Sequence, residues 1–168
     1  MDQYQQLSFA DAEYANKGKV TRREKFLEQL SGLLPWRTMM TVIEPHYALG
    51  KGRGRKAFPL NAMLHVHVAQ IVYNYSDPGM EDALYEIESL RRFCGIRLEA
   101  VPDESTILQF RHLLEQHGLA EQIFKAINQS LGERGLFLKA GTIVDASLIA
   151  APTSTKNQSK ARDPEMHS

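Results

Sequence analysis

From Thr21 to Leu131 the apolar residues of this sequence return every three or four positions, and prolines or glycines interrupt the pattern at Pro35, Pro45, Pro59, Pro78, Pro102 and Gly118. That spacing is the period of an amphipathic helix, and each interruption is a stop or a restart. The stretch is therefore constrained to a series of short helices packed through their apolar faces, ending near residue 135. Residues 1 to about 20 are polar, lack the period and are expected to form an arm.

Thr21 and Glu24 have the capping-box spacing, so a helix is expected to start there and to turn Phe26, Leu27, Leu30 and Leu33 inward until Pro35 stops it. A second short helix is expected from about Arg37 to Glu44, because the residue before Pro45 is pushed out of the helical region. Trp36 reads as a core anchor, with base stacking as the alternative. Pro59 suits a first helical position and opens a helix to about Tyr75 whose apolar side holds Leu60, Met63, Leu64, Val68, Ile71 and Val72. His65 and His67 are two apart, so they point to different faces and are packed or surface histidines, not a metal pair. Asp77-Pro78-Gly79 reads as a turn.

Met80, Ala83, Leu84, Ile87 and Leu90 then recur at helical spacing, Gly95 and Pro102 bracket a break, and a new helix begins near Asp103 with Ile107, Phe110 and Leu114 inward. Helix, break, helix is compatible with a DNA-binding helix-turn-helix and equally with a plain helical hairpin. Thr106, Gln109, Arg111 and His112 would be the second helix's exposed polar residues, and Gln and Arg are side chains able to read base edges. After Gly118, one more amphipathic helix carries Leu119, Ile123, Phe124, Ile127 and Leu131.

The 168 residues hold one ordinary domain, or a compact domain and an incomplete second one, and 43% hydrophobic content excludes disorder throughout. The net charge of +0 is not that of a generic nucleic-acid binder, but its distribution is uneven. Lys17, Lys19, Arg22, Arg23 and Lys25 cluster near the start; Lys51, Arg53, Arg55 and Lys56 form a second cluster; Asp77 to Glu133 is mostly acidic. The second cluster lies in the glycine-rich run Gly50–Lys56, which lacks P-loop spacing. It is either a solvated linker or a contact to a phosphate backbone. A single cysteine, Cys94, excludes an internal disulfide and is expected to be buried. With no signal pattern at the start and no apolar run near the roughly 20 residues of a membrane span, the expected location is cytoplasmic.

Beyond residue 135 the pattern changes. Leu136-Phe137-Leu138 leads toward a sheet, and Thr142-Ile143-Val144 with Leu148-Ile149, between Gly141 and Pro152, reads as a buried strand. Asp145 stands in its middle, where a carboxylate needs a partner or a metal; the alternative is a strand-edge or turn Asp on a solvated face.

That strand, with Ala150-Ala151-Pro152, Ser154-Thr155-Lys156-Asn157 and Arg162-Asp163-Pro164-Glu165-Met166-His167, resembles the first catalytic block of bacterial insertion-sequence transposases of the DDE type, in the family named for insertion sequence five. The resemblance continues upstream through Leu7-Ser8-Phe9-Ala10-Asp11, Leu34-Pro35-Trp36, Met80-Glu81-Asp82-Ala83-Leu84-Tyr85-Glu86-Ile87 and Phe110-Arg111-His112-Leu113-Leu114-Glu115, and so covers nearly the whole chain. It implies a mainly α chain: a helical DNA-binding domain over residues 21–135, followed over 136–168 by the first strands of an incomplete ribonuclease-H-like α/β domain.

The implied chemistry is DNA strand cleavage and transfer with Mg²⁺ or Mn²⁺, which takes oxygen ligands from two Asp and one Glu. Asp145 is the only residue that matches a member of this triad, as catalytic group and metal ligand; Asp163 and Glu165 match a different segment of the family. Lys156, Lys160 and Arg162 are candidates to hold phosphate near the metal, and the resemblance tilts Lys51, Arg53, Arg55 and Lys56 toward DNA as well. Implied partners are the terminal inverted repeats, target DNA and a second copy of the chain. With the later Asp and Glu missing, the expectation is a truncated transposase portion, inactive alone; the alternative is a non-catalytic DNA-binding fragment or transposition repressor.

Overall fold

A computed structural model describes Tyr14, residues 16–47 and residues 57–136. Among these residues the regular structure is entirely helical, as expected for the N-terminal part; the expected strands fall outside them. The helices are α1 (Arg22–Leu33), α2 (Trp36–Ile43), α3 (Leu60–Tyr73), α4 (Asp77–Glu86), α5 (Glu88–Cys94), α6 (Glu104–Gln116) and α7 (Leu119–Glu133), with a 3₁₀ turn at Leu98–Ala100.

Helix α1 begins as its spacing predicts. The Thr21 hydroxyl accepts the Glu24 N–H at 3.2 Å and the Glu24 carboxylate accepts the Thr21 N–H at 2.7 Å, closing the capping box. Its apolar positions fare differently from expectation. Leu27 is buried, but Phe26 is 43% exposed and Leu33 is also open to solvent. The cause is its place at the margin of the bundle, where α5 is its main neighbour and covers only a narrow stripe.

Helix α3 is the centre of the fold, packed against α2, α4, α5 and α6. It is consequently buried around much of its circumference, at Ala62, Met63, Leu64, His65, Val66, Ala69 and Gln70, and not along one stripe. Ile71, expected to point inward, is 65% exposed, and Val72 is exposed too, because they belong to the last turn, beyond the crossing helices. Asn74 ends the helix in the left-handed region at φ 54°, a conformation its short polar side chain tolerates.

The Asp77-Pro78-Gly79 segment is the first turn of α4 and not a free turn. Ser76 caps it, its hydroxyl accepting the Gly79 N–H at 3.2 Å, and Pro78 sits where a missing N–H costs nothing. Instead of running on to Leu90, α4 breaks at Ile87, which adopts extended angles (φ −109°, ψ 98°), and α5 starts anew at Glu88. Such a break leaves carbonyls without intrahelical partners. Arg91 fills that need: its Nη1 donates to the carbonyls of Leu84 at 2.8 Å and Tyr85 at 2.7 Å, while Nη2 pairs with Glu88.

Two apolar cores result. One joins Leu27 of α1 to Ala62, Val66 and Ala69 of α3, Met80 and Leu84 of α4, Leu90 and Cys94 of α5, and Ile107 of α6. The other joins Met39 and Ile43 of α2 to Met63 and Leu64 of α3, Phe110 and Leu114 of α6, and Leu119 and Ile123 of α7. Helices α3 and α6 feed both. At the far end of α7, Arg134 donates to the carbonyls of Gly32 at 3.0 Å and Leu33 at 3.2 Å, placing a cation on the negative end of α1.

Candidate nucleic-acid interface

Helix α6 carries the residues expected to read DNA, and the structure separates them. Gln109 and His112 are exposed. Thr106 is half-buried in the first turn, its N–H bound to the capping carboxylate of Asp103 at 2.7 Å. Arg111 departs from its expected exposure: it is half-buried, and its Nε lies 3.2 Å from the Asp77 carboxylate at the start of α4. Gln70 of α3 reaches the same carboxylate oxygen at 2.6 Å. His67 adjoins this group, and burial holds its imidazole below the usual range, with the Arg111 charge pushing the same way. Arg111 is therefore part of a structural knot joining α3, α4 and α6, a pairing between residues far apart in sequence that local spacing does not signal.

The N-terminal end of α6 is acidic. Besides Asp103 and Glu104, Glu81 of α4 accepts the Glu104 N–H at 2.7 Å, so three carboxylates gather where the helix dipole is positive. They stabilise the helix and repel phosphate. The single helix expected to carry Met80 to Leu90 is two, α4 and α5; α4 does pack on α6, which also meets α3 and α7, but all of α5 and a 3₁₀ turn separate the two in the chain. A helix-turn-helix joins its packed helices through a turn of three or four residues.

The margin of α1 has the opposite sign. Lys17 and Tyr14 both contact the Glu24 carboxylate, and together with the Thr21 N–H they pull its pKa down to about 2, Lys17 contributing most. Arg23 lies over the Tyr73 ring at 5.6 Å, Phe26 meets the same ring edge-on at 6.3 Å, and Tyr75 stacks on it at 5.9 Å. Lys19, Arg22 and Lys25 are exposed and make no ion pair among the described residues. The run of cations was visible in the sequence; the aromatic shelf beside it was not, because Tyr73 and Tyr75 come from the end of α3.

Trp36 is engaged by protein. Its ring stacks on His65 with centroids 3.6 Å apart, and its Nε1 donates to the Ser31 carbonyl at 2.8 Å. His65 is buried, its Nδ1 donates to the Asn61 carbonyl at 2.8 Å, and burial holds it below the usual histidine range. Cys94 is buried, which pushes its thiol pKa up. Among the described residues no three His, Cys, Asp or Glu side chains gather to hold a metal ion, and no helix is long and apolar enough to cross a membrane.

Asp145, Lys51, Arg53, Arg55, Lys56, Lys156, Lys160 and Arg162 lie outside the described residues. Among the described residues, the Tyr47 hydroxyl donates to the Phe58 carbonyl at 2.8 Å, and the Tyr47 ring packs edge-on against Phe110 of α6. No solved structure matches the chain. A family model described as a transposase domain (DUF772) matches residues 15–113, more than half of the chain and the whole succession from α1 into α6.

Proposed function

The chain belongs to this transposase-domain family, and from that premise we propose that it is the end-binding portion of a DDE-type transposase, a helical domain that holds terminal inverted repeats ahead of the first catalytic carboxylate. The observation that carries the proposal is the family match across α1 to α6, joined to the resemblance of residues 141–167 to the first block of a strand-transfer site.

In this reading Asp145 supplies one carboxylate of the triad, and the second Asp and the Glu come from residues that this sequence does not contain. A carboxylate oxygen is a hard donor and suits Mg²⁺ or Mn²⁺, ions that when bound stabilise the attacking and leaving oxygens at phosphorus. Lys156, Lys160 and Arg162 hold the strand by its phosphates, and Lys51, Arg53, Arg55 and Lys56 add backbone attraction. Gln109 is the exposed side chain of α6 able to read a base edge.

The test has two arms. The chain is titrated over salt with duplexes tiling the DNA on both sides of its coding sequence, against scrambled duplexes of equal length; preference for one end sequence is expected, and equal affinity for all would remove end recognition. A second polypeptide carrying the missing acids is then added with Mg²⁺. Strand cleavage that disappears with Asp145→Asn is expected, and cleavage that survives this change would remove Asp145 from the site.

A further inference from the structure

The described surface carries one place where unpaired cations and exposed aromatic carbon lie side by side. On α1, Arg22, Lys25 and Phe26 fall three and four residues apart, and residues with that spacing share one face of a helix. Lys19 precedes them. Arg22 and Lys25 are exposed, without an ion pair among the described residues, and Arg22 lies in the first turn of the helix, where a cation opposes the dipole. Neither stabilises α1 through a partner, so both charges are available to an outside anion.

The aromatic shelf adjoins them. Arg23 is held over Tyr73, and Tyr73 is buttressed by Phe26 on one side and Tyr75 on the other. A guanidinium fixed on a ring loses less side-chain freedom when it meets a phosphate than a free one does. Phe26, 43% exposed, offers carbon surface in the middle of the cations. Deoxyribose presents matching carbon between successive phosphates.

We propose that the α1 edge formed by Lys19, Arg22, Arg23, Lys25 and Phe26, backed by Tyr73, is a DNA-backbone contact surface of this domain. The inference rests on the reading of the chain as an end-binding transposase portion and says which face meets the duplex. Charge decides between the two candidate faces. The start of α6 gathers the carboxylates of Glu81, Asp103 and Glu104, each beside a capping N–H or at the helix start. Among Lys19, Arg22, Arg23 and Lys25 of the α1 edge, by contrast, the carboxylates are Glu24, held by Lys17, Tyr14 and Thr21, and the exposed Glu28, so cations predominate there. The concavity of about 530 Å³ beside Arg22 and Arg23 also admits Glu86 and Glu88, so the open edge, and not that hollow, is the phosphate-bearing part.

The experiment measures affinity of the full chain for the tiled flanking duplexes as a function of salt. Each phosphate neutralised contributes about 0.9 to the slope of log affinity against log salt, so Arg22→Ala with Lys25→Ala is expected to lower the slope by about two and weaken binding at least tenfold at low salt. Arg22→Lys should keep the slope. Phe26→Ala should weaken binding several-fold with the slope unchanged, a response that a purely electrostatic patch would not give. Circular dichroism checks that each variant stays helical, as expected for exposed positions. If the wild-type chain binds and the double variant keeps its full slope, the α1 surface is wrong while end binding stands. If the wild-type chain binds no duplex at any salt, both fall.

Discussion

The break between α4 and α5 should depend on one side chain. Arg91 is 12% exposed and donates to two carbonyls that the break leaves without helical partners. Arg91→Met keeps the apolar stem and removes the donors. The bond to the half-buried Leu84 carbonyl is charge-assisted and worth about 1.5 kcal/mol, and the bond to the exposed Tyr85 carbonyl, which water can replace, about 0.5–1 kcal/mol. The Glu88 pair adds about 0.5 kcal/mol or less, since Arg92 still holds the same carboxylate at 2.8 Å. The loss is about 2–3 kcal/mol, or a fall in Tm of about 8–12 °C for a domain of this size. Thermal and urea unfolding followed by circular dichroism measure it, with an unchanged urea slope expected. Arg92→Met, which removes an exposed pair, should cost less than about 1 kcal/mol. If Arg91→Met lies within about 0.5 kcal/mol of the wild type, the freed carbonyls are satisfied by water and Arg91 does not hold the break.

Two further outcomes follow from burial. Leu64, fully buried in the core shared by α2, α3, α6 and α7, should cost about 2–5 kcal/mol when changed to Ala, read as a shift of the urea midpoint. His65 and His67 are both held below their ordinary pKa by burial, so the folded chain resists protons that the unfolded chain accepts; stability should be fully present above the unfolded value of about 6.5 and decline as pH falls below it. Proton NMR titration of the two imidazoles should give midpoints below that value, and ordinary midpoints would remove the burial argument.

Much of the helical plan was legible because its signals are local. Thr21 and Glu24 announce α1 through a bond pattern closed within one turn, and Pro59 announces α3 through its fixed φ, although it stands as the N-cap, one residue before the first helical position expected for it. What the pattern could not supply was how many neighbours each helix has. A helix with one main neighbour, such as α1, exposes Phe26 despite its spacing, whereas one packed against four, such as α3, buries Ala62 and Ala69, whose small side chains barely register in a hydrophobic period. The break at Ile87 carries neither proline nor glycine; it is held by an arginine further on. Arg111 looked like a base reader because its partner, Asp77, belongs to another helix. Of the candidate site, the α6 residues and the basic run of α1 fall within the described helices, while Asp145 and the cations around it rest on the sequence alone.

The position of α3 has a consequence for how the domain comes apart. Because Ala62 and Val66 line one core while Met63 and Leu64 line the other, neither core is a separable foldon: opening either one strips a wall from its neighbour. The slowest-exchanging amides should therefore lie in the middle of α3, and damage in either half should surface as one cooperative transition. A domain built this way couples its helices through one shared wall, so that strain applied at α1 is felt at α6.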